Sequence, residues 1–546
     1  MADSDDDRKP AGGVTRRDFM RGIGAAGVGL AATPLIGDVP RVAMPQLWLQ
    51  SDPAASGNPE QLHVQFGGDA SREIAVSWAT PGPARNPVLR LGTRAHGLGN
   101  TVHAETRTYT DANSGVEVHT QHAVLHGLDP ATDYTYQVSH DGASAPLSGA
   151  FTTAPSGRAK LRFTSFGDQA TPEAGNGLAS IWSSFNPPQV ERLQPLFHLL
   201  NGDLCYANIS PDRVKAWHDF FLENQVSAAM RPWMPCTGNH EDELGNGPIG
   251  YRSYQTRFSL PNNGEPPEFR GLWYTFRAGS VRVVSLNNDD VCLQDGGDNY
   301  VNGYSGGRQK RWLERTLAAA RREDGVDWIV VVMHQVAMSS VHDFNGADLG
   351  IRQEWLPLFD KYGVDLVVAG HEHHYERMKA VRGVDPSSST MRPQPVSDDI
   401  DVIDTSRGTV HMIIGGGGTS APSNGLFYDP PQCDVIMSVG PQAPTPPGGD
   451  RPKRASHKVT EVATWAGHRD PQDPYGFASF DVDPGAPGGL TTIRVTFYRT
   501  SLSLTAPAVP VDSFALQRPR SDARGQNGQG HGQQGAGAAS SASGSR

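Results

Sequence analysis

Val367-Val368-Ala369-Gly370-His371-Glu372-His373-His374-Tyr375-Glu376-Arg377 is a short apolar run that ends on a glycine and then releases three histidines. The run suits a buried strand, and the residues after it are too polar to continue one. Glycine at the junction permits a sharp turn, so the next side chain points into the crevice beyond the strand. In open α/β sheets, ligands collect at that edge.

Four other stretches repeat the pattern: Phe163-Thr164-Ser165-Phe166-Gly167-Asp168, Leu199-Leu200-Asn201-Gly202-Asp203-Leu204-Cys205-Tyr206, Met234-Pro235-Cys236-Thr237-Gly238-Asn239-His240-Glu241 and Val330-Val331-Val332-Met333-His334. Four of the five place glycine directly before the polar residue. Two aspartates, an asparagine and three histidines make a mixed oxygen and nitrogen donor set suited to first-row metals. An aspartate that uses both oxygens can bridge two metals about 3.5–4 Å apart, the arrangement used in two-metal phosphoester chemistry. A single glycine–aspartate pair or a lone histidine says little. Five such clusters, each at a strand end, point to one metal site.

Outward from these motifs, short apolar strands at 161–166, 197–200, 281–286, 328–333, 366–369 and 410–414 alternate with helical stretches at 211–224, 307–322 and 351–362. Strands return near 476–482 and 492–498. Such alternation predicts an α/β domain with helix-covered sheets. Two stretches rich in Pro and Ser, 382–407 and 420–458, read as long loops of the kind that serve as lids or specificity elements. Gly415–Gly418 reads as a tight strand-end turn.

From 59 to 155 the pattern is different. Leu62-His63-Val64-Gln65-Phe66, Glu73-Ile74-Ala75-Val76-Ser77-Trp78 and Tyr134-Thr135-Tyr136-Gln137-Val138 alternate apolar and polar residues between turns. This predicts a β-sandwich of about a hundred residues. Its core is expected around Trp78, Tyr134 and Tyr136, with His63, His103, His119 and His122 at the surface.

Composition bounds the rest. The chain has 546 residues, 47 basic and 58 acidic side chains and a net charge of −11. That balance weighs against a basic nucleic-acid-binding face. Hydrophobic residues at 37% suffice for a core, and no apolar run reaches the ~18–20 residues of a transmembrane helix. Four cysteines exclude a disulfide scaffold. Cys205 and Cys236 fall in neighbouring motif loops, which leaves open either a disulfide or two buried thiols, and Cys292 with Cys433 is a further possible pair. Residues 1–43 read as a leader rather than part of the fold. Thr15-Arg16-Arg17-Asp18-Phe19-Met20-Arg21, followed by a weakly apolar stretch, resembles a twin-arginine export signal. The expectation is export by the twin-arginine machinery to a secreted or cell-envelope location. The tail, 521–546, is dominated by Gly, Ser, Ala and Gln and is expected to be disordered.

The motif order GD, GDxxY, GNHE, VxxH and GHxHxYER resembles the calcineurin-like metallophosphoesterases, and the purple acid phosphatases in particular. Leu125-His126-Gly127-Leu128-Asp129-Pro130-Ala131-Thr132-Asp133-Tyr134-Thr135-Tyr136 is similar to a stretch of fibronectin type III domains, which many members of that branch carry. The likeness spans roughly residues 59 to 500. It implies a two-sheet αββα sandwich over 158–505, preceded by a fibronectin III-like all-β sandwich at 59–155. It also implies that Asp168, Tyr206 and His373 bind one metal, that Asn239, His334 and His371 bind a second, and that Asp203 bridges them. A phenolate ligand at Tyr206 implies Fe(III) there, with Fe, Zn or Mn as the partner ion. The implied reaction is hydrolysis of a small phosphate monoester by hydroxide generated on the cations. His240 would deliver a proton to the leaving group, and His342 would contact substrate. His374 is expected to point away from the metals, and Glu376 with Arg377 to form an ion pair bracing the loop.

The chain departs from the family pattern in two places. Gly167-Asp168-Gln169-Ala170 lacks the second glycine of GDxG, and only His342 represents the substrate histidines usual after VxxH. A phosphodiesterase or nucleotidase on the same scaffold is the alternative activity. A catalytically inactive surface-binding protein is the alternative from another class.

Overall fold

Strand Ile74–Thr80 is buried along its whole length, which one face of a sandwich does not explain. Val76 and Trp78 point into the β-domain core, while Ser77 on the other face meets His122, its partner on strand Glu117–Leu125. The His122 ring spans from Ser77 Oγ (2.8 Å) to the Thr256 carbonyl of the following domain (2.9 Å). His63 bridges in the same way to the Arg257 carbonyl at 3.0 Å. His63, His119 and His122 are therefore buried rather than at the surface, and His103 is exposed. The polar alternation that suggests a solvated face marks an interdomain contact for His63 and His122. A protein surface covers that face, and its carbonyls satisfy the imidazoles.

The computed structural model describes residues 57–525, except 94, 174–176, 447–450 and 504. The leader read at 1–43 and the tail beyond 525 lie outside the described residues. The N-terminal domain has two four-stranded antiparallel sheets. One runs Glu60–Phe66, Ile74–Thr80, Glu117–Leu125, Glu105–Thr110, and the other Gly97–His103, Arg85–Thr93, Asp133–Asp141, Leu147–Thr152. Tyr134 and Tyr136 both pack on Phe151 in its core.

Two seven-stranded sheets follow. The first contains the parallel strands Trp233–Pro235, Phe197–Leu200 and Leu161–Phe166, then Gly476–Asp483, Leu490–Arg499, Val509–Pro519 and Val402–Asp404. The second contains Tyr274–Ala278, then the parallel strands Val281–Ser285, Trp328–Val332, Leu366–Ala369 and Val410–Ile414, and ends with Tyr375–Met378 and Ala466–Arg469. The near-continuous Val and Ile runs are what strands buried on both faces require. The sheets join at their ligand-bearing edge, where Gly167 N–H donates to the Ile414 carbonyl (2.8 Å) and Gly417 N–H to the Gly167 carbonyl (2.8 Å).

Helix Arg213–Ala228 starts where Asp212 accepts from Lys215 N–H (2.9 Å) and buries Ala216, Trp217, Phe220, Phe221, Asn224 and Ala228. Those positions share one face at helical spacing. It packs against strand Glu60–Phe66 and so joins the domains. The helix expected at 351–362 is instead two, Leu349–Glu354 and Leu356–Tyr362. Pro357 has no N–H for the ladder, and the chain bends at Trp355.

Both long loops are more ordered than composition suggests. Within 382–407, strand Val402–Asp404 forms an edge of the first sheet, pairing in parallel with Val509–Pro519. Within 420–458, strands Gln432–Val439 and Ser456–Val462 pair as an antiparallel ribbon. The first sheet also continues past residue 505 through Val509–Pro519. Residues 521–525 form a short helical turn rather than a disordered start of the tail, because Ser521 N–H and Oγ both bond Asp327.

Candidate metal centre

The five motif loops converge at the carboxyl ends of the parallel strands, and the approach is close enough to require glycine at two junctions. A Cβ on Gly370 would stand 2.3 Å from Asp168 Oδ2, and one on Gly238 would stand 2.2 Å from Asp203 Oδ1. Asp168, Asp203, Tyr206 and His371 all have positive φ, between 50° and 70°. A left-handed backbone costs a non-glycine residue roughly 1–2 kcal/mol, and such strain clusters at functional sites. Here the surrounding hydrogen bonds hold it. Asp203 and Leu204 N–H donate to the Glu241 carboxylate (2.9 and 2.8 Å), as does Gly238 N–H (2.7 Å). Glu241, the last residue of GNHE, thereby ties two ligand loops together. The sequence displays its motif without disclosing that task.

The side chains form two adjoining groups. In one, Tyr206 OH lies 3.3 Å from Asp168 Oδ1 and 3.2 Å from His373 Nε2, and His373 Nε2 lies 3.3 Å from Asp168 Oδ1. In the other, His334 Nε2 lies 3.1 Å from Asn239 Oδ1, 3.1 Å from Asp203 Oδ2 and 3.3 Å from His371 Nδ1. Among the described residues, the donor atoms of Asp203, His334 and His371 all fall within 4.8 Å of one another. Asp203 also accepts from His240 N–H at 2.8 Å through its other oxygen.

These groups fit cations. His334 Nδ1 bonds the Asn201 carbonyl (2.7 Å) and His373 Nδ1 bonds the Ala421 carbonyl (2.7 Å). A carbonyl only accepts, so each Nδ1 carries the proton and each Nε2 presents a lone pair. Both lone pairs therefore face further oxygen or nitrogen donors, an arrangement that a positive ion satisfies. The orienting carbonyl is the usual outer partner of a metal-binding imidazole. In the absence of a cation a proton serves the same charge balance. Burial opposes charge on His334, yet Asp203 and Asp168 outweigh it and raise its pKa to about 10. Burial likewise pushes the Tyr206 phenol well above its ordinary value, with the Asp168 and Asp203 charges adding to the shift. Ionising that phenol in the site calls for a nearby positive ion.

His240 sits beside this set, its Nδ1 on Asn208 Oδ1 (2.7 Å) and its Nε2 4.0 Å from Asp203 Oδ2. Burial lowers its pKa to about 4, against the Asp203 charge. His342 is not in this group. Its imidazole is partly exposed, 3.3 Å from Asp343 and packed on the Tyr428 ring. Two residues on, Phe344 packs its ring on His373.

His374 points away, bonded to Ser423 Oγ (2.9 Å) and Glu376 (3.3 Å). Glu376 and Arg377 do not pair with each other. Glu376 accepts from Ser340, and Arg377 forks onto Asp512 on strand Val509–Pro519 of the other sheet, because consecutive strand residues face opposite ways. The four cysteines are buried free thiols. Sequence reading missed Gln294, whose amide lies 3.0 Å from His371 Nε2, and Asn201, which holds His334 through a backbone atom.

At the position where GDxG has its second glycine, the backbone is left-handed. Ala170 occupies it with φ 62°. Gln169 exchanges two hydrogen bonds with Asn224 on the interdomain helix (2.9 and 3.1 Å), which clamps the turn.

Comparison with known proteins agrees with this geometry. Residues 59–153 match the family described as purple acid phosphatase, N-terminal domain, and residues 176–375 match calcineurin-like phosphoesterase. An uncharacterized protein of Mycobacterium tuberculosis is 51% identical, over 94% of this chain and 97% of its own length. Purple acid phosphatase 18 of Arabidopsis thaliana is 26% identical, over 75% of this chain and 82% of its own. The solved purple acid phosphatase of yellow lupin seeds shares the fold, with a TM-score of 0.62 at 20% identity, over 86% of this chain and 76% of that one. The chain belongs to the purple acid phosphatase-like metallophosphoesterases, metal-dependent phosphoester hydrolases whose family implies a dinuclear metal centre.

Proposed function

We propose that this protein is an exported binuclear phosphohydrolase acting on small phosphate monoesters. The observation that carries the reading is the pair of imidazoles, His334 and His373, each turned by a backbone carbonyl so that its Nε2 faces a separate group of donors. Asp168, Tyr206 and His373 would hold one ion, Fe(III) where the phenolate is a ligand. Asn239, His334 and His371 would hold the other, Fe, Zn or Mn, with Asp203 between them. When bound, the two ions supply Lewis acidity and bring the pKa of coordinated water toward neutrality.

The chain's own residues do the rest. His240 is neutral above about pH 4, with Nδ1–H donated to Asn208, so its Nε2 is left to meet the ester or the leaving oxygen. In acid solution the protonated ring can donate there, which suits a phosphatase working in the acid range. His342 is assigned to the outer part of substrate binding, on the segment that reaches the site through Phe344. Export rests on the paired arginines Arg16 and Arg17 ahead of a weakly apolar stretch. That route carries folded proteins, compatible with metal loading before translocation.

The test is metal analysis and a visible spectrum on the purified protein beside Tyr206→Phe, with hydrolysis of monoesters and diesters compared. About two metal ions per chain, a visible band lost in the variant, and monoester preference are expected. Metal without a tyrosine-dependent band removes Fe(III) from the reading, and diester preference would replace it with a phosphodiesterase. No bound metal and no hydrolysis would leave a binding protein.

A further inference from the structure

Residues 292–300 lie directly against the metal site. At Gly297 the backbone is pressed so close to the Asn239 loop that a Cβ would stand 2.1 Å from the Asn239 carbonyl and 2.8 Å from Asn208 Nδ2. This approach sets the next residue, Asp298, among groups from three other parts of the chain. Its Oδ2 accepts from the Arg213 guanidinium (2.8 Å), at the start of the interdomain helix, and from the Leu244 N–H (3.1 Å). Arg213 also donates to the Leu244 carbonyl (2.9 Å), which closes the corner. The other oxygen, Asp298 Oδ1, accepts from Asn208 Nδ2 at 3.3 Å. Asn208 in turn faces His240, its Oδ1 on the ring Nδ1 at 2.7 Å. Asn208 and Arg213 are buried, and the His240 ring packs on the Tyr206 ring with centroids 4.5 Å apart. These bonds have a direction. A carboxylate only accepts, so Asn208 must turn its NH2 to Asp298 and its oxygen to His240. That oxygen only accepts as well, so His240 keeps a proton on Nδ1 and presents Nε2 on its other side.

We propose that Asn208, oriented by Asp298, is the positioning residue that holds His240 with Nε2 toward the leaving oxygen, and that this hold lets the enzyme cleave alkyl monoesters. The proposal rests on the reading of His240 as the group that meets the leaving oxygen, and it adds a substrate class. A nitrophenolate is a weak base and leaves without help. An alkoxide is a strong base and needs a proton as its bond to phosphorus breaks. In that step the electron pair of the P–O bond passes to the alkoxide, which takes the Nε2 proton. Water supplies the new oxygen on phosphorus, and the proton that water loses replaces the one His240 gave. Because Asn208 retains Nδ1–H throughout, Nε2 is the nitrogen that exchanges its proton. Arg213 and Asp298 never touch the substrate. They fix the amide, and the amide fixes the ring. Asn208 stands two residues past the last position of GDxxY, and no motif marks Asp298.

The experiment is done on metal-loaded full-length protein at a single acid pH, with kcat, KM and metal content measured for an alkyl phosphate and for nitrophenyl phosphate. Asn208→Leu is expected to lower kcat on the alkyl ester by about 10–100-fold, the cost of a misaimed catalytic group. Its kcat on nitrophenyl phosphate and both KM values should move less than about threefold, and its metal content should match wild type. Asp298→Asn frees the Asn208 amide to flip and should lower the alkyl rate in the same direction by a smaller factor. Adding Asn208→Asp to Asp298→Asn returns an acceptor to His240 and should recover most of that loss. In a His240→Ala background, Asn208→Leu should change the alkyl rate by less than about twofold, since residues acting as one unit are not additive. Equal losses on the two esters, additive losses in the His240→Ala background, or a fall in metal content would overturn the proposal and leave Asn208 a packing residue. If His240→Ala lowers the alkyl rate and Asn208→Leu does not, positioning by Asn208 fails while the reading of His240 stands. If His240→Ala leaves the alkyl rate at the wild-type level, or wild type hydrolyses neither ester, that reading fails and the proposal with it.

Discussion

His334 donates its Nδ1 proton to the Asn201 carbonyl, 2.7 Å away, and this one bond decides what its other nitrogen can do. The Asn201 backbone turns directly before Gly202 and Asp203, so the loop that supplies Asp203 also orients the imidazole beside it. The Asn201 side chain fastens that turn to both sheets, accepting from Ser165 Oγ (2.8 Å) and donating to the Ala369 carbonyl (3.2 Å). A site assembled this way should respond to changes one layer away from the proposed ligands.

Gln294 provides the first test. Its amide holds His371 Nε2 at 3.0 Å while Nδ1 faces His334. Gln294→Ala is expected to weaken metal binding or activity by about 10–100-fold, read by metal titration against a competing chelator. Wild-type affinity and activity in the variant would show that His371 is held by its backbone alone.

Gly370→Ala tests the close packing of the ligand loops. The added Cβ would sit 2.3 Å from Asp168 Oδ2 and 2.8 Å from the Asn201 carbonyl. Overpacking of this kind costs about 1–3 kcal/mol, and here the displaced group is itself a donor. The variant should fold, lose bound metal and lose most activity. A metal content matching wild type would contradict the geometry.

Ala170→Gly should do the opposite. Ala170 has φ 62° in a turn that its neighbours hold in place. Relief of left-handed strain outweighs the added chain entropy of glycine by about 0.5–1 kcal/mol. A rise of that size in unfolding free energy, at unchanged activity, is the expected result. A loss of stability would show that the turn carries no strain.

Stability should fall as pH rises from acid to alkaline. Burial raises the pKa of Glu223 to about 8, against the hydrogen bond it accepts from Ser183 Oγ. Burial opposes charge on His218, but Asp219 and Glu60 outweigh it and raise its pKa to about 9. Glu60 acts through charge, since its oxygen is 3.6 Å from the ring. Both folded values lie above the ordinary values of 4.5 and 6.5. Each contribution is therefore complete below its ordinary value and is lost as pH rises through the folded one. Urea unfolding of the metal-loaded protein should give a midpoint that declines between about pH 5 and 9, and Glu223→Gln should flatten the lower half of that decline. A midpoint that rises across this range would refute both assignments.

Much of the site was legible because its signal is local. An apolar strand, a glycine and a polar residue form one short unit, and the strand end is where that residue has to emerge. The same local reasoning failed at His63 and His122, whose alternation with apolar neighbours looks like a solvated strand face. It failed again at Glu376 and Arg377, adjacent in sequence and turned to opposite sides of their strand. Pro357 broke a helix whose apolar spacing alone suggested continuity. Prolines and serines in 382–407 and 420–458 signalled loops, although pairing with Val509–Pro519 orders part of the first and an antiparallel ribbon orders part of the second.

The sequence by itself determined the fold class, the two-domain order and the side chains that gather at the strand ends, since each depends on patterns a few residues long. Tertiary structure decided the tautomers of His334 and His373, the bracing by Glu241 and the contact of Gln294 with His371. Each of these depends on a backbone carbonyl, a carboxylate or a segment brought from a distant part of the chain. Only the packing of the two sheets against each other places those atoms within hydrogen-bonding reach.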